Sequence, residues 1–389
     1  MPMTSAAQET PVGGQGMDDF WGVVPAGGSG TRLWPVSRSS APKFLQDMTG
    51  GGRSMLQATL DRLRPLTGDR LTVVTGAAHA DRVREQLAGE ALGGSLPGLG
   101  ADGLVVEPSP RESMPAIGLA AAIIARHHPD AVIGSFAADH VVGDLDTFHA
   151  CVTEAVAVAR TGKLVTIGIE PTRPATGFGY IRLGEPLAVE GAPSAREVAS
   201  FREKPERELA EQFLADGGYR WNAGMFVVRA QVLLDLLARE HPDMVEALTA
   251  IAAADDLAPM DELWPDITKI AIDHAVAEPA AAAGDVACVP GDFPWDDVGD
   301  FGSLGAVLGR VGAGRIVDGL VTTGAGEVIG QESSGFVMTT TGRTVVALGL
   351  EDVVVVDTPD AVLVTTRDRA QEVKQVVARL EELQRKDLT

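Results

Sequence analysis

Positive charge is scarce in this chain, and so are cysteine and aromatic residues. Among 389 residues there are 32 Lys or Arg against 54 Asp or Glu, a formal net charge of −22. A surface this acidic repels phosphate backbones and disfavours a nucleic-acid polymer as partner. It leaves room for a mononucleotide, because a local basic cluster can override the global field. The two cysteines, Cys151 and Cys288, lie far apart and form no CxxC spacing, so neither a zinc site nor a disulfide framework is expected. Two buried thiols in a reducing compartment is the reading that remains. Aromatics make up only 5% while hydrophobic residues reach 45%, so the core must be large and built from small aliphatics. No apolar run is long enough to cross a bilayer, which argues against a membrane partner. Residues 1–16 are polar and lack the basic start and apolar stretch of a secretory signal, so a disordered tail is expected there. The chain therefore reads as a soluble, cytoplasmic protein.

What is abundant is alternation. Short apolar runs at Phe20 to Pro25, Leu71 to Thr75, Leu104 to Val106, Ala131 to Ala138 and Leu164 to Ile169 predict strands. Between them Ser54 to Leu63, His79 to Leu87, Ala116 to Arg126 and Thr147 to Ala159 have helical spacing. Strands alternating with helices imply an α/β, Rossmann-like, mostly parallel sheet covered on both faces. From Gly177 to Phe201 the texture shifts to strand and turn, and Arg207 to Leu214 and Gln231 to Leu237 predict further helices. Past about Val311, short valine-rich strands recur between turns, which predicts a smaller β-rich, β-helix-like domain. It ends in a charged helix from Arg369 to about Arg385. The expected organisation is a tail over 1–16, a large domain over 17–310 and a β-rich domain over 311–389.

The most informative string is Pro25-Ala-Gly-Gly-Ser-Gly-Thr-Arg-Leu-Trp-Pro35, followed by Lys43. Glycines let a backbone approach a polyphosphate with its N–H groups turned inward. Between Phe20 and Gln46 the charged residues are Arg32, Arg38 and Lys43, with no acid among them. In so acidic a chain this reversal marks an anion site, where a bare turn would need no cations. The string is neither a P-loop, since GxxxxGK[ST] is absent, nor a dinucleotide fingerprint, since Leu33 stands where the third glycine is needed. It resembles the signature of sugar-nucleotide pyrophosphorylases, and its Leu-Trp-Pro ending is similar to the mannose-1-phosphate guanylyltransferase branch. That resemblance implies nucleotide-binding roles for Ala26, Gly27, Gly28, Gly30, Thr31, Arg32 and Lys43, with Arg32 and Lys43 also acting in catalysis.

Further strings carry the same likeness in the same order. Asp139 follows an apolar run and so sits at the end of a predicted parallel strand, where ligands bind in open α/β sheets. Asp297 lies in Trp295-Asp-Asp-Val-Gly299. Alone each would be a loop or capping aspartate. Ala138-Asp-His140 and the Trp295 string resemble family motifs, which implies that Asp139 and Asp297 hold Mg²⁺, an ion that usually takes one or two carboxylates plus substrate phosphates. Ala137 and Asp296 depart from the family pattern without removing a ligand. Thr176-Gly-Phe-Gly-Tyr180, Phe201-Arg-Glu-Lys-Pro205 and Trp221-Asn-Ala-Gly224 resemble the sugar-phosphate motifs and imply that role for Gly179, Glu203, Lys204 and Asn222. Glu107-Pro-Ser-Pro-Arg-Glu-Ser-Met-Pro-Ala116 resembles the guanine-side motif. Glu112, Ser113 and Met114 depart from it, and Glu107, Arg111 and Ala116 are the candidates for base contacts.

The resemblance implies transfer of GMP from GTP to mannose 1-phosphate, giving GDP-mannose and pyrophosphate. The attacking phosphate monoester has its second pKa near about 6, so no general base is required. The same chemistry with another base or sugar is one alternative, and a catalytically silent nucleotide-binding regulatory protein is another. The joint presence of Arg32, Lys43, Asp139, Lys204 and Asp297 favours the enzyme. The family also implies a homodimer, and Val373, Val376, Val377, Leu380 and Leu383 form an apolar helical face that could serve it or pack on the chain's own core.

Overall fold

The computed structural model describes residues 17–28, 30–90, 92, 93, 96, 97, 99 and 103–389. The tail expected over 1–16 lies outside the described residues. The first part of the chain carries strands β1 (Phe20–Ala26), β2 (Leu71–Gly76), β3 (Leu104–Glu107), β4 (Val132–Ser135), β5 (Val141–Val142), β6 (Leu164–Ile169), β7 (Gly179–Pro186), β8 (Arg196–Arg202), β9 (Tyr219–Arg229), β10 (Val286–Gly291) and β11 (Trp295–Asp296). Nine of them form one sheet in the order β3-β2-β1-β4-β9-β6-β10-β8-β7. Pairing is parallel for β1 with β2 and β4, β2 with β3, and β6 with β10. It is antiparallel wherever β8 or β9 takes part. Only those two of the nine oppose the common direction, so the expected mostly parallel sheet is present. β9 also pairs with β7, which closes β9, β6, β10, β8 and β7 into a ring.

The helices of this part are α1 (Met55–Thr67), α2 (Ala80–Leu87), α3 (Ser113–His127), α4 (Leu145–Ala159), α5 (Arg207–Asp216), α6 (Ala230–Glu240), α7 (Pro242–Ala253), α8 (Met260–Leu263), α9 (Glu278–Ala282) and α10 (Phe301–Val311). They cover both faces. Trp21 and Val23 of β1 face a core with α3, α6 and α7. Phe20, Val24 and Ala26 face the opposite core with α1 and α4. That two-sided burial is why β1 reads as a continuous apolar run. α1 starts at a capping box: the Ser54 hydroxyl accepts from Gln57 N at 3.2 Å, and Gln57 Oε1 accepts from Ser54 N at 3.1 Å. Each bond satisfies a donor that the helix start would otherwise leave open.

The remainder is the expected coil of short strands: β12 (Arg315–Val317), β13 (Leu320–Gly324), β14 (Val328–Gln331), β15 (Gly335–Thr339), β16 (Val345–Leu348), β17 (Val353–Asp357) and β18 (Val362–Thr366). β13, β15 and β17 stack in parallel as one wall, and β14 pairs with β16 as the other. Leu320, Val328, Val337, Ala347 and Val353 fill the space between them. Helix α11 (Val373–Glu382) follows. Position 310, the expected domain boundary, falls in the last turn of α10. Phe301, Leu304, Val307 and Leu308 of α10 pack on Phe336, Met338, Val354 and Val356, and Leu33 and Trp34 join the same cluster. Val373 and Val377 of α11 are buried in it too, with Leu380 against its edge. Val376 and Leu383 remain exposed. The apolar helical face is thus used largely within the chain.

Candidate active site

The glycine turn leaves β1 at Ala26, whose carbonyl accepts from Thr75 Oγ1 at 2.7 Å. Gly28 and Gly30 have φ of 86° and 58°, a region that costs a side chain strain but glycine nothing. Gly30 also needs the room, since a Cβ there would lie 3.0 Å from Lys43 Cγ. Gly30 leads into a 3-10 turn, Thr31–Leu33, whose apolar Leu33 anchors it in the core beneath. Thr31 is half-buried in this turn, and Arg32 projects outward. Arg32 Nη1 donates to Gln371 Oε1 at 2.9 Å. Behind the loop, Trp34 Nε1 donates to Leu388 O at 2.7 Å, and Arg38 forks onto Asp360 at 2.7 and 2.8 Å. The loop is braced by the far end of the described chain.

Asp139 and Asp297 come from loops that a two-residue antiparallel ladder fastens together, with Trp295 opposite Val142 and Asp296 opposite Val141. Lys43 Nζ lies 2.7 Å from Asp139 Oδ2 and donates to Asp297 O at 2.7 Å. A buried lysine therefore ties the two loops. Burial, the largest single influence, would raise the Asp139 carboxyl, but the Lys43 charge, the His140 ring, the Lys43 hydrogen bond and a backbone hydrogen bond together outweigh it, and the group lies below its ordinary range. Asp297 is pushed the other way, to about 6, by burial and by the Asp296 charge, with Asp139 adding to it. Asp296 is itself buried and accepts from Val298 N at 2.8 Å. His140 is held near 4 by burial and accepts from Trp295 Nε1 at 3.3 Å. Among the described residues no third His, Cys, Asp or Glu completes an all-protein metal cluster. Two electrostatically coupled carboxylates, Asp139 and Asp297, suit a hard divalent cation shared with phosphate oxygens.

A cavity of about 330 Å³ opens on one side of Asp139, lined by Ala26, Gly27, Gly28, Glu107, Ala116 and Lys269 among others. Glu107 is buried, burial pushes its carboxyl up to about 7, and Oε2 has no hydrogen-bond partner. An acceptor buried without a partner is costly and points to a ligand that supplies donors. Arg111 is elsewhere: its guanidinium donates to Pro265 O at 2.6 Å and Ile267 O at 3.1 Å, so it fastens a loop and does not line the cavity. Ser113 lines it, with Oγ accepting from Ile272 N at 3.0 Å.

A second cavity, of about 240 Å³, shares Pro25, Ser113 and Ala137 with the first and is also lined by Gly179, Glu203, Asn222, Asp273 and Asp297. Gly179 leaves room for the Glu203 carboxylate, since a Cβ there would lie 2.4 Å from Glu203 Oε2 and push that side chain aside. That oxygen has no partner, while Oε1 pairs with Lys204 Nζ at 2.8 Å. Lys204 keeps its head exposed and its backbone at φ 42°. Asn222 accepts from Thr166 Oγ1 at 3.0 Å and donates to Asp273 Oδ1 at 2.6 Å. Burial and the Asp273 charge raise Glu203, and burial raises Asp273. Of the expected residues, Ala26, Gly27, Gly28, Glu107, Ala116 and Asp139 line the first cavity and Gly179, Glu203, Asn222 and Asp297 the second. Lys43 lies between the two aspartate loops, Lys204 pairs with Glu203, and Arg111 lines neither cavity. The structure adds Asp273, which stands in a π-helical turn, Asp273–Ala277, with no sequence periodicity to expose it.

Comparison with known proteins fits this geometry. Residues 21–310 match the Nucleotidyl transferase family, and residues 326–380 match the MannoseP isomerase/GMP-like beta-helix domain. The chain is 38% identical over 365 residues to a mannose-1-phosphate guanylyltransferase of Escherichia coli, covering 92% of this chain and 73% of that one. It is 37% identical over 378 residues to the xanthan biosynthesis protein XanB of Xanthomonas campestris, covering 96% and 76%. Among solved structures, the mannose-1-phosphate geranyltransferase of Thermus thermophilus superposes with a TM-score of 0.80 at 31% identity, covering 93% of this chain and 99% of that one.

Proposed function

The chain belongs to the nucleotidyl transferase family, in its mannose-1-phosphate guanylyltransferase branch, and from that membership we propose how its own residues make GDP-mannose from GTP and mannose 1-phosphate. One observation carries the reading: Asp139 and Asp297, far apart in sequence, meet around Lys43 beside two adjoining cavities. The cavity with Glu107 takes the base. Guanine offers an N2 amino donor, which suits a buried, unpartnered carboxylate oxygen. The cavity with Glu203, Asn222 and Gly179 takes the sugar, whose hydroxyls can donate to the free Glu203 oxygen. Lys204 reaches the sugar phosphate as a compact, mobile charge.

The reaction is a direct displacement. A phosphate oxygen of mannose 1-phosphate attacks the α-phosphorus, and the bond to the bridging oxygen breaks with its electron pair on pyrophosphate. The nucleophile is already ionised at neutral pH, so the protein's task is to position two anions and stabilise the leaving group. The loop N–H groups and Arg32 hold the nucleotide phosphates. Lys43 keeps the two aspartate loops at a fixed separation. Asp139 and Asp297 fit a divalent cation such as Mg²⁺, which when bound neutralises phosphate charge. A GTP substrate supports a cytoplasmic setting. Outward-facing Ile316, Val346, Leu348, Val362 and Val364 on the β-rich part support a homodimer. The test is pyrophosphate release by the full chain across NTP and sugar 1-phosphate pairs with Mg²⁺. GTP with mannose 1-phosphate is expected to be the best pair. Release only with another NTP would overturn the base assignment and keep the reaction class. Nucleotide binding without turnover would favour a regulatory protein.

A further inference from the structure

A third cavity opens on the other flank of Asp297, and neither the base nor the sugar occupies it. At about 580 Å³ it is larger than both others, and Arg32, Arg173, Arg207, Gly299, Asp300 and Gln371 stand around it. Its charges are not equivalent. Arg207 is spent on Glu211, 2.9 Å away on the next turn of α5. The Asp300 carboxylate accepts from Ser303 N at 2.9 Å and from Gln371 Nε2. Arg32 is hydrogen-bonded to a neutral amide, that of Gln371. Arg173 lies over the rings of Phe178 and Trp221, its Cζ at 5.6 and 5.2 Å from their centroids, and among the described residues its guanidinium has no carboxylate partner. In a chain of net charge −22, two guanidiniums turned to one polar cavity without a carboxylate each mark a place reserved for a polyanion.

The anion follows from the course of the loop. Gly27 and Gly28 line the base cavity and Arg32, a turn further on, lines the third. A triphosphate laid along the loop therefore passes Asp139 and Asp297 and ends between Arg32 and Arg173. We propose that this cavity holds the terminal phosphates of the nucleotide and then the departing pyrophosphate, with Arg173 as a second cationic arm opposite Arg32. This rests on the guanylyltransferase reading and extends it to a residue outside the recognised motifs. As the α-phosphorus–oxygen bond breaks, both electrons go to the leaving oxygen, and charge builds on the pyrophosphate that the two arms face. The aromatic bed under Arg173 matters because a flat guanidinium stacked on rings is oriented before the anion arrives. Gln371 serves as a positioning residue, keeping Arg32 turned to the cavity.

The test is calorimetric titration of inorganic pyrophosphate with Mg²⁺ into the full chain, as wild type, Arg173→Ala and Arg173→Lys. Mannose 1-phosphate is titrated in parallel, and GDP-mannose formation is assayed on the same preparations. Arg173→Ala should weaken pyrophosphate about tenfold or more, the scale of a lost charge-assisted hydrogen bond. Arg173→Lys should recover only part, since it keeps the charge and loses the stacked plane. Mannose 1-phosphate affinity should not change. Circular dichroism should show every variant folded, because the side chain is exposed. Unchanged pyrophosphate affinity in Arg173→Ala would overturn the proposal, and a loss confined to mannose 1-phosphate would give the cavity to the sugar phosphate. A chain that binds pyrophosphate through Arg173 but makes no GDP-mannose would lose the functional reading and keep the site. A chain that makes GDP-mannose with Arg173 irrelevant to pyrophosphate would do the reverse.

Discussion

Glu107 and Asp297 are two carboxylates held under tension, and each should report it through pH. Burial pushes Glu107 from 4.5 to about 7, so without nucleotide its neutral form is favoured by folding. A raised carboxyl contributes stability that is complete below the unfolded value and is lost as pH rises through the folded value. Thermal unfolding of the unliganded protein should therefore lose a contribution between about pH 4.5 and 7, and Glu107→Gln should remove that slope. GTP acts in the opposite sense, because guanine donors need the ionised form. Wild-type GTP affinity should fall as pH drops below about 7, and Glu107→Gln should bind GTP weakly at every pH. A variant that binds GTP as well as wild type would take Glu107 out of base recognition. For the metal pair, Asp139→Asn and Asp297→Asn should each cut kcat by about a hundredfold or more, the scale of losing one preorganised charge group. The double variant should be little worse than the weaker single one. A single variant whose kcat and Mg²⁺ dependence match wild type would exclude that aspartate. These residues were legible because each sits in a short string of unusual composition. Arg173 and Asp273 were not, because what distinguishes them is the aromatic bed and the burial that folding supplies.

Elements with a strong period were readable to within a few residues, and those without were missed. β1 and α4 announce themselves as an apolar run and a helical stripe. β9, at the centre of the sheet, does not: Asn222, Ala223 and Gly224 interrupt it as a loop would, and its register slips between Thr166 and Gly168 on β6. Asn222 lines the cavity beside Gly179 and Glu203 at this irregularity, so the feature that hides the strand lies at the candidate site. The strand expected to run to Ala138 stops at Ser135, which frees the following residues to carry Asp139 into the loop. The start of α1 offers a test at this scale. Ser54 accepts from Gln57 N and donates to Gln86 Oε1 at 2.6 Å, so its hydroxyl links α1 to α2. Ser54→Ala should destabilise by about 1–2 kcal/mol, the upper part of the capping range. Equal denaturation midpoints for variant and wild type would show the cap to be dispensable.

The whole molecule couples its two parts through the glycine loop. Leu33, Trp34 and the β-rich strands share one core cluster, and α11 presses on the turn that carries Arg32. The apolar face of α11 is mostly consumed in that contact, while Ile316, Val346, Leu348, Val362 and Val364 of the β-rich part stay exposed and are the surface that the proposed homodimer uses. Light scattering should give twice the chain mass at micromolar concentration, and Val346→Asp with Leu348→Asp should reduce it to one. A wild-type monomer would overturn the dimer. The pattern foretold the β-rich coil, since short valine-rich runs between turns favour strands. It could not foretell that this coil props the nucleotide loop, because such contacts join residues hundreds of positions apart.

The bond from Trp34 Nε1 to Leu388 O spans 354 residues of sequence. A ribosome adding about 5–20 residues per second needs roughly 18–70 s to cover that distance. During that interval the glycine loop has emerged but its brace has not been made. The nascent chain can build most of its sheet and still hold no fixed pose for Arg32. The pose of the glycine loop is therefore set only after Gln371 and Leu388 have been made and have joined the fold.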